Sequence, residues 1–130
     1  MSDRKDMELI AALVPKGSSV LDLGCGNGEF LALLRDTRQC TGYGIEIADA
    51  NVLACAQRGV NVIQLNLEEG LALFDDQSFD VVLQIETLQH LRNTEKMLRE
   101  TARVGRIGIV SFPNFAHWRN TCMSRPAACR

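Results

Sequence analysis

Between an apolar run and a fresh helical pattern, residues 20–30 read "VLDLGCGNGEF", with Gly24, Gly26 and Gly28 at alternate positions. Glycines spaced in this way let the main chain bend sharply and come close to a ligand, while the helix that follows offers free N–H groups. The stretch commits the chain to strand, loop, helix. In an open parallel sheet such a loop lies beyond the carboxyl ends of the strands, beside the point where the strand order reverses and ligands bind.

The rest of the chain repeats this unit. Residues 4–14 place Met7, Ile10, Ala11 and Val14 at helical spacing before Pro15 and Gly17, which end a helix. Strands are predicted at 19–24, 40–47, 60–65, 79–85 and 106–112, with helices at 29–37, 48–59 and 93–105, the last capped by Asn93 or Thr94. Strictly alternating strands and helices imply right-handed crossovers and a doubly wound, mostly parallel Rossmann-like α/β sheet. From about Asn120 the text "TCMSRPAACR" loses its apolar periodicity, so the domain is expected to span 1–119 and 120–130 to form an irregular tail.

With 130 residues, 46% of them hydrophobic, the chain can bury one core and form one domain. No apolar run approaches the roughly 20 residues of a membrane span, and "MSDRKDMELI" has no signal-peptide core. A cytoplasmic protein is expected. The net charge of −2 gives no overall attraction to nucleic acid or an anionic membrane, which leaves a small molecule as the natural partner. The five cysteines include no C-x-x-C pair, so reduced thiols are expected, with neither a disulfide framework nor a metal site.

What the glycine loop binds follows from its charges. The dinucleotide fingerprint G-x-G-x-x-G fails at its third glycine, where Glu29 stands, and a carboxylate at the helix start disfavours a phosphate. Asp22, two residues before the loop, adds a second acid suited to a cationic group, unless it only caps main-chain amides. Glu46, at the end of the second predicted strand, stands where a nucleotide-binding sheet holds ribose hydroxyls. Together these residues describe a nucleoside ligand with a positive centre and no phosphate.

The segment "VLDLGCGNG" resembles the first motif of the class I S-adenosylmethionine-dependent methyltransferases. Within that superfamily the chain is most similar to the methionine biosynthesis protein MetW family, through "VLDLGCGNGEFLALL", "VIQLNLEEGL", "FDVVLQIETLQHLRN" and "IVSFPNFAHWRN". The resemblance implies S-adenosylmethionine or S-adenosylhomocysteine as cofactor. Asp22 and the loop of Gly24, Gly26 and Gly28 would then face its methionine part and Glu46 its ribose, and Cys25, Ile47, Asn66, Leu67 and Gln84 would complete the site. At the third strand the superfamily usually carries an aspartate against the adenine amino group; here Asn66 stands there, and its amide carbonyl would accept a weaker bond. A partner is implied as well, a homoserine O-acyltransferase of the MetX type. The superfamily's fifth strand is normally followed by a helix and an antiparallel strand pair, whereas only 18 residues follow Phe112. That shortfall predicts a truncated or altered terminus that lacks the pair, with an exposed fifth-strand edge prone to self-association.

Catalytic groups are less defined. Methyl transfer depends mainly on positioning, so a base is optional. Glu86 and His90 are four residues apart and would share a helix face, either as a general base or as a stabilising pair. Cys25 reads as a packed thiol more readily than as a nucleophile, and His117 with Trp118 as a hydrophobic cover or a site lip. Three functions are thus carried forward: a cofactor-binding accessory of methionine biosynthesis, an active small-molecule methyltransferase, and, against the broken fingerprint, an NAD-linked oxidoreductase.

Overall fold

A computed structural model of the chain describes residues 4–85, 91–111 and 120–124, the last five as main chain only. Its elements run α1 (Arg4–Ala11), β1 (Ser19–Leu23), α2 (Glu29–Arg38), β2 (Thr41–Glu46), α3 (Asp49–Gln57), β3 (Val62–Gln64), a 3-10 turn (Leu67–Glu69), β4 (Phe79–Ile85), α4 (Thr94–Val104), β5 (Gly105–Ser111) and β6 (Asn120–Ser124). The strands form one sheet in the order β3-β2-β1-β4-β5-β6. Strands β1 to β5 are mutually parallel and β6 is antiparallel to β5. Every strand and helix expected from the sequence is present, and the doubly wound Rossmann-like sheet is the observed fold.

Strand β1 sits centrally because its residues are apolar on both faces, as a parallel strand covered from both sides requires. Val20 packs with α1 and α2, against Met7, Ile10, Phe30 and Leu34, while Leu21 and Leu23 pack on the opposite face with Met97 and Val104 of α4. The register carries the same division into β4: Val20 lies beside Val81, Leu21 beside Val82 and Asp22 beside Leu83. Val81, Leu83 and Ile85 therefore join the α1/α2 core, and Val82 joins the α4 core. Among the described residues no helix is long and apolar enough to cross a membrane.

On the α4 face, the loop from Gly70 to Gln77 covers what a helix would otherwise cover. Arg103 of α4 fixes it, donating to the carbonyls of Leu71 and Phe74 at 2.9 Å each and to Asp76 at 2.9 Å, while Glu100 holds the same guanidinium at 2.8 Å. Phe74 then packs edge-on against Phe79, with ring centroids 5.5 Å apart. One planar, five-donor cation thus replaces the hydrogen bonds that an irregular segment cannot make for itself.

The C-terminal segment differs from expectation. Residues 120–124, read from the sequence as the start of an irregular tail, form β6, which pairs with β5 from Ser111↔Asn120 to Ile107↔Ser124. The β5 edge is therefore covered, which corrects the exposed edge expected there. One antiparallel strand is described where a strand pair is usual. Pairing through main-chain groups does not need an alternating side-chain pattern, so periodicity had no signal to offer here.

Replacing Arg103 with Ala leaves two carbonyls and two carboxylates without their donor. The expected loss is about 2–3 kcal/mol, read as a lower urea midpoint with an unchanged slope.

Candidate functional site

At the carboxyl edge of β1 the chain turns through Gly24, Gly26 and Gly28 with φ of 76°, 58° and 84°. This left-handed geometry costs other residues roughly 1–2 kcal/mol each. The turn is anchored at both sides. Gly24 and Cys25 donate N–H bonds to the Ile45 carbonyl at 2.8 and 3.0 Å, and Gly26 donates to Glu46 Oε1 at 2.9 Å. The second oxygen of Glu46 accepts from the amides of Ile47 and Ala48 at 3.2 and 3.0 Å. Glu46 therefore braces the glycine loop against the end of β2 in addition to facing a possible ligand.

Two cavities meet at Gly24. The first, about 440 Å³, is lined by Asp22, Gly24, Cys25, Gly26, Asn27 and Glu29, and closed by Arg4 and Met7 of α1, Phe30 of α2 and Ile85 of β4. The second, about 200 Å³, is lined by Gly24, Ile45, Glu46, Ile47, Leu65, Asn66, Leu67, Glu68 and Leu91. The first is acidic with a single arginine at its rim, and the second is apolar with acids at its edge. A Cβ on Gly26 would meet nothing within 4 Å: the loop leaves open space on the cavity side.

Asp22 shares the orientation of Val20, which turns its carboxyl into the first cavity, where it is 3% exposed. Burial pushes this carboxyl up to about 7, and the charge of Glu46 adds to the rise. A buried acid of this kind gains strongly from a cation.

Of the ten residues predicted from the sequence, eight line one or both cavities: Asp22, Gly24, Cys25, Gly26, Glu46, Ile47, Asn66 and Leu67. Gly28 caps α2 behind the first cavity, beside Cys55. Gln84 lines neither cavity. It has the orientation of Val82, is fully buried towards α4, and donates through Nε2 to Thr101 Oγ1, which in turn donates to the Met97 carbonyl at 2.8 Å. The two-residue period of a strand could have shown this, since Leu83, and not Gln84, pairs with Asp22. Asn66 lines the second cavity, but its carbonyl already caps the 3-10 turn, accepting from Glu68 N–H at 2.9 Å. Glu68, missed in the sequence, brings a carboxylate to the same cavity and accepts from the Arg92 amide at 3.1 Å. Arg4, Met7, Phe30 and Ile85 were also missed as site residues, having been read only as helix and strand positions. Glu86, His90, His117 and Trp118 lie outside the described residues.

Solved structures with this sheet include a SAM-dependent methyltransferase from Thermotoga maritima, described as a possible histamine N-methyltransferase, at TM-score 0.69 and 24% identity over 82% of this chain and 49% of that one. The [4+2]-cyclase SpnF aligns at TM-score 0.73 and 21% identity over 83% of this chain and 44% of its own. Strand order and glycine loop thus define the class I methyltransferase fold. Residues 4–124 match the family described as Methionine biosynthesis protein MetW, and the chain belongs to that family. The bifunctional methionine biosynthesis protein MetXA/MetW of Rhodopirellula baltica is 48% identical over 120 residues, which cover 86% of this chain and 19% of that protein. The 27-O-demethylrifamycin SV methyltransferase of Amycolatopsis mediterranei is 30% identical over 107 residues, 76% of this chain and 39% of its own. The chain therefore spans well under half the length of these relatives.

The titration of Asp22 is open to direct measurement. With its folded-state carboxyl at about 7 against the usual 3.8, the neutral acid stabilises the fold at low pH, and that contribution is lost as pH rises through about 7. The melting temperature should fall between about pH 4 and pH 7, by the equivalent of up to about 4 kcal/mol. Asp22→Asn should flatten the decline.

Proposed function

We propose that the chain binds S-adenosylmethionine or S-adenosylhomocysteine across the two cavities and serves, in the cytoplasm, as a cofactor-binding accessory of methionine biosynthesis beside a MetX-type homoserine O-acyltransferase. The observation that carries the reading is a buried carboxyl, Asp22, set against a positive-φ glycine loop in a cavity that continues at Gly24 into an apolar one.

The donor set fits this cofactor. Asp22 meets its cationic amino group, and Arg4 at the rim of the same cavity is complementary to its carboxylate. Glu46 faces the ribose hydroxyls, and Ile47, Leu67 and Leu91 enclose a purine whose edge lies towards Asn66 and Glu68. When bound, S-adenosylmethionine supplies an electrophilic methyl group on a sulfonium. Glu29, half-buried at the start of α2, disfavours a pyrophosphate and with it NAD. The acyltransferase is supported by the relative whose name joins MetXA and MetW in one bifunctional protein.

Turnover is the second reading, favoured by the 30% identity to a named methyltransferase. Release of S-adenosylhomocysteine in the presence of a small-molecule acceptor would select it over the accessory role.

The first test is ligand-dependent melting. At 100 times its dissociation constant a specific ligand adds about 2.7 kcal/mol, several degrees for a domain of this size. S-Adenosylmethionine and S-adenosylhomocysteine should both give this shift and NAD none; no shift with either adenosyl compound overturns the reading. Because Asp22 must ionise to meet a cation, affinity should rise as pH passes through about 7, with a proton released on binding. Asp22→Asn should abolish that dependence. Co-purification with the acyltransferase, and a change in its activity on adding S-adenosylmethionine, tests the partner.

A further inference from the structure

Two thiols stand at the back of the glycine loop. Cys25 Sγ and Cys55 Sγ are 3.7 Å apart, one on the loop and one on α3, and both face the Gly26 carbonyl, at 3.7 and 3.3 Å. Their space is cleared by glycines: a Cβ on Gly28 would lie 2.9 Å from Cys55 Sγ, and one on Gly44 would overlap Cys25 Sγ. Access is unequal. Cys55 is fully buried, whereas Cys25 is 8% exposed and lines the first cavity.

We propose that Cys25 and Cys55 are an oxidisable dithiol, a modification site entered through the cavity, whose disulfide form binds ligand less tightly. The effect on binding rests on the reading of the cavity as a cofactor site; the cross-link does not. The oxidant is a low-molecular-weight disulfide. The Cys25 thiolate attacks one of its sulfurs, forming a mixed disulfide and expelling one thiolate; the Cys55 thiolate then attacks Cys25 Sγ, forming the Cys25–Cys55 bond and expelling the second. Two electrons pass from the pair to the reagent, and the two thiol protons are left to the two expelled thiolates.

Burial, with the charge of Asp22 beside it, raises the Cys25 thiol well above its usual range, and burial raises Cys55 as well. The pair is therefore slow, and a ligand covering the cavity suffices to protect it. A disulfide needs the sulfurs at about 2.05 Å, so the two thiols must approach by more than an ångström, through their side-chain torsions and the loop and α3 that carry them. The Gly26 carbonyl loses its thiol donors in the process. A binding site held to about 0.5 Å binds less tightly once its own wall shifts in this way.

The test uses the full chain with Cys40, Cys122 and Cys129 replaced by Ser, and the unaltered chain with peptide mapping in case the triple variant folds poorly. Each is exposed to oxidised glutathione at pH 8, with and without S-adenosylhomocysteine. The expected result is loss of two hydrogens, a peptide joining Cys25 to Cys55, reversal by dithiothreitol, slower reaction when S-adenosylhomocysteine is present, and affinity for it about tenfold lower after oxidation. Glutathione retained on Cys25 without a cross-link, or both thiols left intact, overturns the dithiol. Equal affinity of the reduced and oxidised forms overturns the effect on binding. Failure of the reduced protein to bind S-adenosylhomocysteine overturns the cofactor reading, and with it that effect, while the cross-link is still decided by mass.

Discussion

A left-handed bend turns main-chain amides towards the inside of the turn, where no helix or strand takes them up. In this chain Glu46 answers that demand, accepting from Gly26 across the loop and from Ile47 and Ala48 next to itself. The end of β2 is thereby tied to the end of β1 by a side chain as well as by the sheet. A carboxylate offers about four acceptor positions, and three are taken. A vicinal diol arriving at Glu46 would therefore share the last position or displace an amide of the loop.

The strands and helices were legible because each carries its own pattern: the runs at β1 and β4, the periodic faces of α1, α2 and α4, and the glycines between them. The acids were legible too: Asp22 and Glu29 adjoin the glycines in the chain, and the parallel pairing of β1 with β2 carries Glu46 to the same edge. What escaped depends on contacts remote in sequence. Arg4 and Ile85 meet at one cavity only because α1 packs over the junction of β1 and β4. Gln84 was misplaced by one residue of strand phase, and β6 was hidden because main-chain pairing leaves little mark on side chains.

The same sheet serves proteins described as methyltransferases and one described as a [4+2]-cyclase. A fold of this kind therefore sets where a ligand sits more firmly than what becomes of it. In this chain the described polar groups around the cavities are held in place: Asp22 is buried with its carboxyl pushed up to about 7, Glu46 is committed to amides, and Asn66 caps a turn. Such an arrangement is compatible with the proposed accessory role as readily as with an enzyme.

The walls of the first cavity come from both ends of a long stretch of chain, Arg4 and Met7 at one side and Ile85 at the other. Between them β1 waits in sequence for β4, its partner some sixty residues later, through the pairing of Val20 with Val81. Long-range parallel pairing of this kind is intrinsically slow to form. A partly synthesised chain has the glycine loop but not the chamber. The loop is a local feature, whereas the chamber belongs to the whole domain and is complete only once β4 has joined β1.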